Sequence, residues 1–404
     1  MPDNQRQKPS AIVVGGGPAG LTAAIALAGA GVATMLVGKR PAKADSRTTA
    51  LLGGSVAALE ILGVWELCAA QAAPLKIMRI VDDTGRLWRA PEVKFEADEI
   101  DLDAFGYNIE NRHLVAALDQ RARALPSLRM IEDEVSSVVP GNDAVAVTLG
   151  SGDALQAPLV IAADGRRSLC RAAAAIGIDE RDYKQSALTV CMTHSRPHRD
   201  TSTEFHTPSG PFTLVPLPGN RSSLVWVLDP VSVDAIAALG DAELSAEIER
   251  ACHSILGKIE IEARRGMFPL SVATARKFAD KRIVLVGEAA HVIPPIGAQG
   301  LNLGLRDAAS IGELAVAAQR AGGDIGGSEA LTAYDKMRRS DVGSRTLAIN
   351  LLNRTLLTDF LPVQGMRGLG LYMIDRIAPL RRAVMREGVA PAAAQPRLMR
   401  GEAL

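Results

Sequence analysis

Three glycines near the start of the chain have the spacing of a phosphate-binding turn. Gly15, Gly17 and Gly20 lie in the run GGGPAG, directly after the apolar segment AIVV and before an apolar helical pattern. In such a unit the first glycine permits a tight turn, the second admits a pyrophosphate, and the third lets the helix pack on the strand. Pro18 and Ala19 complete the candidate site. The motif predicts dinucleotide binding, and a turn that only packs is the alternative.

The next strand lacks the carboxylate that such sites usually carry. An acidic residue is expected at its end, roughly 20 residues after the glycines, where it binds the ribose hydroxyls. Here the strand TMLV ends at Gly38, and Lys39 and Arg40 follow. Three alternatives stay open: water or backbone holds the ribose, a phosphorylated or weakly bound nucleotide is accommodated, or the site has decayed.

Two later segments join an apolar strand to a polar or glycine-rich end. LVIAADGRR contains Asp164 and Gly165, and RIVLVGEAAHVIPPIGAQGLNLGLRD contains a Pro/Gly loop followed by a helical pattern. That helix begins near Gln299, so its free N–H groups form a second site suited to an anion.

These segments require strands and helices in alternation. The uncharged stretch 9–38 reads as strand, tight turn, helix and strand, because its glycines would interrupt a membrane-spanning helix. At roughly 150 residues per domain, the 404-residue chain predicts two to three domains.

Composition excludes several classes of protein. The 45 basic and 45 acidic residues balance, so no long-range field attracts polyanions and no nucleic-acid partner is expected. Four cysteines without a C-x-x-C pair, and no apolar leader before them, predict cytoplasmic residence. No metal is expected, because Pro197 separates His194 from His206 and no cysteine or carboxylate completes a recognised ligand spacing. The sequence contains no nucleophile elbow, so a hydrolase is not expected.

The ordered motifs GGGPAG, ADGRRS and VGEAAHVIPPIGAQGLNLGLRDA together carry a family resemblance. The chain resembles the FAD-dependent aromatic monooxygenases with the p-hydroxybenzoate hydroxylase fold, and within them the ubiquinone-biosynthesis hydroxylases. The resemblance implies an α/β fold with a Rossmann-like FAD-binding domain, an inserted β-rich substrate domain and C-terminal helices. The expected boundaries are 1–75, 100–180 and 275–325 for the FAD-binding domain, 76–99 and 181–274 for the substrate domain, and 326–404 for the helical region.

The resemblance also implies roles for residues that match the family motifs. The glycine turn would hold the FAD pyrophosphate, and Arg47 and Arg112 would contact the cofactor from flanking helices. Asp164 and Gly165 occupy a position linked in the family to FAD and pyridine-nucleotide handling. Further along the chain, the family's Gly-Asp pair is matched by Gly287 and Glu288, so a carboxylate is kept one methylene longer.

The Pro/Gly loop and the helix after it would border the flavin ring. By resemblance, Pro295 and Gly297 lie near the ring. Gly300, Leu301 and Asn302 would present backbone N–H groups to its pyrimidine edge.

The middle of the chain contains alternating runs that predict antiparallel strands. In the resembling fold this sheet covers the substrate side of the flavin. Phe212, Leu214, Pro216 and Trp226 are therefore candidate pocket walls. Sheet core is the alternative for each of them.

The segment from Ile349 to Ala390 has six arginines against three acids, set among apolar residues at helical spacing. Such a segment could lie on a membrane or bind a partner of a biosynthetic complex, and a packed helix pair with a solvated arginine face is the alternative. The sequence therefore predicts a cytoplasmic protein, with peripheral contact with the inner membrane as a further possibility.

The resemblance implies that NADH or NADPH reduces FAD, and that O₂ then hydroxylates an aromatic small molecule, a polyprenylated phenol on the route to ubiquinone. One rival is a non-catalytic or weakly FAD-binding subunit of a quinone-biosynthesis assembly, suggested by Gly38 and Glu288. A flavin-dependent reductase or halogenase is another. No catalytic residue is identified from the sequence.

Overall fold

The computed structural model describes residues 8–39, 47–85, 90–294, 298–357, 370, 372–373, 376–389 and 395–404. It confirms the predicted α/β class, with a mainly parallel sheet, a larger mainly antiparallel sheet and C-terminal helices.

Nine helices are described within these residues. They are α1 (Pro18–Gly29), α2 (Gly53–Ile61), α3 (Asn111–Arg123), α4 (Leu169–Ala173), α5 (Pro230–Ala238), α6 (Asp241–Ala251), α7 (Gln299–Arg320), α8 (Ser328–Leu357) and α9 (Ala378–Val389). Short 3₁₀ turns occupy Trp65–Leu67, Ala69–Gln71, Ala97–Ile100, Gly287–Ala289 and Arg397–Arg400.

The strands, in chain order, are β1 (Ala11–Val14), β2 (Thr34–Val37), β3 (Thr48–Leu52), β4 (Ala72–Pro74), β5 (Ile77–Asp82), β6 (Val93–Glu96), β7 (Gly106–Glu110), β8 (Leu128–Ile131), β9 (Val135–Pro140), β10 (Val145–Leu149), β11 (Ala154–Ala157), β12 (Leu159–Ala162), β13 (Ile178–His194), β14 (Thr201–Thr207), β15 (Gly210–Leu217), β16 (Arg221–Leu228), β17 (Ile259–Ala275), β18 (Ala279–Asp280), β19 (Ile283–Leu285) and β20 (His291–Val292).

The first sheet has six strands in the order β18-β19-β12-β1-β2-β8. The pairs from β19 to β8 are parallel, and β18 is antiparallel to β19. Its central strands are continuous apolar runs, as expected where both faces are covered. The largest apolar core contains these strands together with residues of α1, α2, α3 and α7. The strand–turn–helix–strand prediction for 9–38 is confirmed.

The second sheet has eight strands in the order β20-β17-β13-β16-β15-β14-β5-β6. Only β14 and β5 pair in parallel, and the other pairs are antiparallel. Helices α5 and α6 pack on one face and close a second apolar core. The opposite face borders the cavity described below.

Two three-stranded sheets complete the fold, β11-β10-β9 and β3-β7-β4. The six-stranded sheet draws its strands from 11–37, 128–162 and 279–285, and the eight-stranded sheet from 77–96, 178–275 and 291–292. The predicted division into domains by residue number stays a prediction. Among the described residues, no helix has the length and apolarity needed to cross a membrane.

Candidate functional site

The glycine turn makes a close backbone approach between β1 and α1. Gly15 has a φ of +120°, and a Cβ there would lie 2.1 Å from the carbonyl oxygen of Ala163. At Gly20 a Cβ would lie 2.0 Å from the carbonyl oxygen of Gly15, so only hydrogen fits. Gly17, the N-cap of α1, instead has nothing within 4 Å of a Cβ position. Two of the glycines thus serve packing, and the middle one borders open space.

The start of α1 is suited to an anion. Its first turn has no acidic residue, its N-cap makes no side-chain hydrogen bond, and Pro18 lies at its start. The first N–H groups of a helix lack intrahelical partners and lie at the positive end of the helix dipole. Ala19 faces away toward α7, since Cβ atoms placed at Gly287 and Gly304 would lie 3.2 and 3.3 Å from its own. Its contact with a cofactor stays a prediction.

The position after β2 has no room for a ribose-binding carboxylate. A Cβ at Gly38 would lie 2.4 Å from the backbone nitrogen of Gly16. The next side chain, Lys39, forms an ion pair with Glu134 at 2.5 Å. A glutamate at position 38 would collide with the glycine turn, so we expect Gly38→Glu to weaken nucleotide binding. The backbone approach itself accounts for a glycine here, without decay of the site.

Asp164 acts as a helix cap in the loop after β12. Its Oδ1 accepts a hydrogen bond from Ser168 Oγ at 2.6 Å, and its Oδ2 accepts one from the N–H of Cys170 at 3.1 Å. Gly165, with a φ of +82°, has open space around a Cβ position. These bonds fix the loop at the start of α4. A contact of either residue with a nucleotide stays a prediction.

Arg171 ties this loop to the turn Gly287–Ala289 and was missed in the sequence. Its guanidinium donates hydrogen bonds to the carbonyl oxygens of Arg166 and Ala289, each at 2.9 Å. Three arginines follow Asp164 closely in the sequence, and nothing in their spacing singles out Arg171. Its partner Ala289 is 118 residues away in sequence, so only the fold identifies this role.

The turn Gly287–Ala289 presents Glu288 to the cavity. Gly287 has a φ of +62°, which favours glycine, and its N–H donates to Oδ2 of Asp307 at 2.9 Å. Glu288 is exposed and lines the cavity. The longer carboxylate is therefore available to a ligand on this side.

Asp307 is the centre of a buried ion cluster that was also missed. It is fully buried and accepts hydrogen bonds from His291 Nε2 at 2.7 Å and from Arg338 Nε at 2.6 Å. Burial opposes its charge, but His291 and Arg338 hold the pKa of Asp307 below its usual value. One signal existed: Asp307 lies on the same helical stripe as the buried Leu303 and Ile311. A charge on that stripe requires buried partners.

The start of α7 is anchored by Asn302. Its Oδ1 accepts from Leu52 N–H and Ser55 Oγ, and its Nδ2 donates to the carbonyl oxygens of Ala50 and Ala298. The whole amide is therefore engaged in positioning the helix.

The free N–H groups at this helix start belong to its first residues, which include Gly300 and Leu301. Asn302 comes after the first three helical residues, so its backbone role is corrected to a side-chain anchor. A Cβ at Gly300 would meet nothing within 4 Å, so a flat group can approach there. Pro295 and Gly297 lie outside the described residues.

The two predicted arginines have different surroundings. The Arg47 guanidinium lies over the Phe268 ring at 5.8 Å and lines the cavity. Arg112 donates two hydrogen bonds to Oε2 of Glu110, at 3.0 and 2.6 Å. Arg221 bridges the same carboxylate and Glu262. Burial raises the pKa of Glu110, but Arg112 and Arg221 outweigh this and hold it below its usual value.

A cavity of about 230 Å³ lies between the eight-stranded sheet and the cofactor-side segments. Arg47, Arg166 and Glu288 line it from one side. From the sheet, alternate residues of neighbouring strands face it: Ala187, Thr189, Cys191, Ser223, Val225 and Leu270. An engineered cavity of about 150 Å³ holds benzene, so this volume accommodates an aromatic ring.

The four candidate pocket walls do not line this cavity. Phe212, Leu214 and Trp226 lie in the apolar core beneath α5 and α6. Alternation explains the correction, because Trp226 points to the face opposite Val225. Pro216 is buried, and its carbonyl oxygen accepts a hydrogen bond from Asn108 at 2.8 Å. The alternative reading as sheet core fits the three apolar side chains.

All four cysteines, Cys68, Cys170, Cys191 and Cys252, are buried, and none of them forms a disulfide. Burial raises the pKa of Cys68 to about 11 and that of Cys191 to about 12. It raises the pKa of Cys170 and Cys252 as well. The thiols are thus protonated at neutral pH.

These features fit an extended dinucleotide. Two helix starts without acidic residues, those of α1 and α7, offer N–H groups beside glycines with open Cβ space. A phosphate suits the first and a flat heteroaromatic ring suits the second.

Comparisons with known proteins agree with this geometry. A protein family described as "FAD binding domain" matches residues 8–347. Ubiquinone hydroxylase UbiL of Rhodospirillum rubrum is 36% identical over 400 residues, covering 96% of this chain and 92% of that protein. The 3-demethoxyubiquinol 3-hydroxylase of Escherichia coli is 31% identical over 382 residues, covering 93% and 96%.

Solved structures show the same fold. The p-nitrophenol 4-monooxygenase PnpA of Pseudomonas putida aligns with a TM-score of 0.78 at 19% identity, over 96% of this chain and 99% of that one. Klebsiella pneumoniae HpxO, solved with FAD and uric acid, aligns with a TM-score of 0.73 at 20% identity, over 93% and 96%.

Proposed function

Because the chain belongs to the FAD-binding-domain family, and within it to the ubiquinone-biosynthesis hydroxylases, we propose that it is an FAD-dependent monooxygenase that hydroxylates a ubiquinone precursor. The observation that carries the proposal is the ring-sized cavity between the eight-stranded sheet and the segments that carry Arg47, Arg166 and Glu288. A polyprenylated phenol is the substrate class that this route implies.

The chain's part in the reaction is binding and positioning. Bound FAD supplies the redox chemistry, with NADH or NADPH as reductant and O₂ as the oxygen source, that amino-acid side chains lack. The start of α1 would hold the pyrophosphate, and the start of α7 would hold the ring system. The apolar walls of the cavity keep water from the reacting ring.

Charge at the cavity favours an electron-rich ring. Two arginines, Arg47 and Arg166, line it against one carboxylate, Glu288. Arg47 lies on the open side above Phe268, where a guanidinium stabilises an anionic ring substituent. A phenolate is richer in electrons than a phenol, so its binding prepares the ring for hydroxylation.

The test is retention and use of FAD. Purified protein loaded with FAD and repurified is expected to keep a two-banded absorbance between about 350 and 500 nm. With NAD(P)H and a quinone-precursor phenol, the product should contain one more oxygen atom, traced with ¹⁸O₂. A colourless protein that binds no added FAD would support the rival, a non-catalytic subunit of the assembly.

Access to a polyprenylated substrate would be served by a surface on α9 and the turn before it. Met373, Ile377, Leu380 and Val384 form one exposed apolar stripe, at spacings of four, three and four residues. The opposite side of α9 is anchored, since Met385 is buried beside Phe105. We therefore propose that this stripe lies on a lipid surface.

Vesicle flotation tests the stripe. Leu380→Ser with Val384→Ser is expected to reduce recovery with anionic phosphatidylglycerol vesicles several-fold. Ile61→Ser on α2, another exposed apolar residue, is the matched control and should float like the wild type. Equal recovery of both variants would reject membrane contact and leave the hydroxylase proposal intact.

A further inference from the structure

We propose that Ser223 is the hydrogen-bond donor that binds the oxygen substituent of the substrate ring, so that the cavity takes a phenolate in preference to a neutral phenol. The inference rests on the proposed aromatic hydroxylation and names the group that recognises its substrate. It starts from the hydrogen bonds of one buried hydroxyl.

Both lone pairs of Ser223 Oγ are occupied. A serine hydroxyl has two lone pairs and one proton to donate. Thr48 Oγ1 donates to Ser223 Oγ at 2.8 Å, and Asn108 Nδ2 donates to it at 3.2 Å. Among the described residues, no group accepts a hydrogen bond from Ser223 Oγ. Its proton therefore remains for a ligand.

The direction of the bond from Asn108 is fixed by the other partner of its amide nitrogen. Its Nδ2 also donates to the carbonyl oxygen of Pro216 at 2.8 Å, and a carbonyl oxygen only accepts. The nitrogen side of the amide must therefore face both Pro216 and Ser223. Asn108 is 1% exposed, so water does not compete for it. Ser223 Oγ is thus held as an acceptor of the Asn108 bond, and this bond does not use its proton.

Ser223 borders the cavity. Ser223 is 3% exposed and lines the cavity beside its cross-strand partner Cys191. With two donors on its oxygen, the remaining tetrahedral direction is the one for its proton. A group that only donates stabilises an anion more than a neutral hydroxyl, which must also place its own proton. When the bound phenol ionises, the proton of its own hydroxyl group passes to solvent.

A second hydroxyl residue that borders the cavity, Ser271, has a different character. Its Oγ is buried, lines the cavity and has no hydrogen-bond partner among the described residues. It can donate or accept, so it does not select an anion. Along β17, Ser271 lies beyond Phe268, which pairs with Ala187 of β13. Ser223 pairs with Cys191, which is four residues along β13 from Ala187. That separation, roughly 13 Å, exceeds one aromatic ring.

Binding of 4-nitrophenol to the FAD-loaded protein, without reductant, tests the proposal. The colour of its phenolate, titrated against pH, gives both the dissociation constant and the pKa of the bound probe. Ser223→Ala is expected to weaken phenolate binding about 10- to 100-fold, the value of one hydrogen bond to a charged group. The pKa of the bound phenol should rise by about 1 to 2.

Matched variants separate this role from a structural one. Ser222→Ala removes the neighbouring hydroxyl, which faces the other side of the sheet and contacts His194 Nε2 at 3.0 Å. It should bind the probe like the wild type and keep its FAD. Ser223→Thr retains a hydroxyl and should recover part of the phenolate preference. Thr48→Val frees one lone pair of Ser223 and should reduce the preference less than Ser223→Ala.

Each outcome is decisive. Unchanged phenolate binding in Ser223→Ala, a loss in Ser271→Ala alone, or a wild type that does not prefer phenolate would overturn the assignment. A wild type that binds phenolate through Ser223 but forms no hydroxylated product would instead reject the proposed function.

Discussion

The cofactor side and the substrate side of this protein are built by different means. Around the start of α1 the deciding feature is the absence of side-chain atoms, since Cβ atoms at Gly20 and Gly38 would lie 2.0 and 2.4 Å from backbone atoms. On the eight-stranded sheet the deciding feature is which side chain faces which way, as in the neighbours Ser222 and Ser223. Added atoms should therefore damage the first region, whereas removed atoms should alter the second.

The largest effect is expected from an added methyl group on the cofactor side. Gly20→Ala would place Cβ against the Gly15 carbonyl oxygen, so α1 must shift, with a stability loss above about 3 kcal/mol. Urea unfolding and FAD content measure this. Gly17→Ala is the control, because its Cβ meets nothing within the protein. The Gly17→Ala variant should fold normally, and any loss of FAD affinity should come only from contact between the added methyl group and the pyrophosphate. Equal stability of both variants would contradict the packing account.

A second large effect concerns the charge beneath the Gly287 turn. Asp307→Asn should lower the free energy of unfolding by about 3–5 kcal/mol, because the buried Arg338 loses one of its two anionic partners and keeps only Asp341. Denaturant titration at neutral pH measures it. Asp119→Asn, which removes an ion pair on the exposed side of α3, is the control and should change stability by less than about 1 kcal/mol.

The same pair predicts a pH dependence. The folded pKa of Asp307 lies below its usual value, so its stabilisation is complete above the unfolded value of about 4. It is lost as the pH falls through the lower, folded pKa. The stability gap between wild type and Asp307→Asn should therefore narrow in acid. A gap that stays constant down to the acid transition would show that the charge of Asp307 is not the source.

On the substrate sheet, the two faces should respond differently to truncation. Leu214→Ala removes a buried side chain beneath α5 and α6 and should reduce stability by about 2–5 kcal/mol with little change in substrate KM. Val225→Ala, on the cavity face, should change KM with a smaller loss of stability. Paired unfolding curves and steady-state kinetics measure both. A larger change of KM in Leu214→Ala would mean that the faces are assigned wrongly.

The smallest effect is expected at Lys39, directly after Gly38. Its ion pair with Glu134 is largely exposed, so Lys39→Ala should change stability by less than about 1 kcal/mol and leave FAD affinity unaltered. Fluorescence titration of FAD measures the second quantity. A marked loss of affinity would show that Lys39 contacts the nucleotide after all.

The sequence predicts best what depends on local spacing. The glycine turn of α1 and the helix beginning at Gln299 follow from residues near one another in the chain, and both are present. Alternation likewise predicts that a strand has two faces, but it does not say which one meets the cavity. Phe212 was therefore a candidate pocket wall by resemblance, with sheet core as the alternative, and it lies in the core.

Long-range partners account for what was missed. Asp307 and Arg338 are 31 residues apart on different helices, and Asn302 anchors to Ala50 and Leu52 from 250 or more residues away. No periodicity links such positions. The glycine at position 38 has a related cause, since the obstruction there comes from the fold of the glycine turn.

The four buried cysteines bear on how long such a catalyst lasts. Hydrogen peroxide, which escapes when oxygen chemistry is not coupled to a substrate, attacks thiolates rather than thiols. With pKa values of about 11 for Cys68 and about 12 for Cys191, almost none of either thiol is ionised at neutral pH. Peroxide released in turnovers without product would then leave these sulfurs reduced. Oxidative damage to the protein should occur first at other residues.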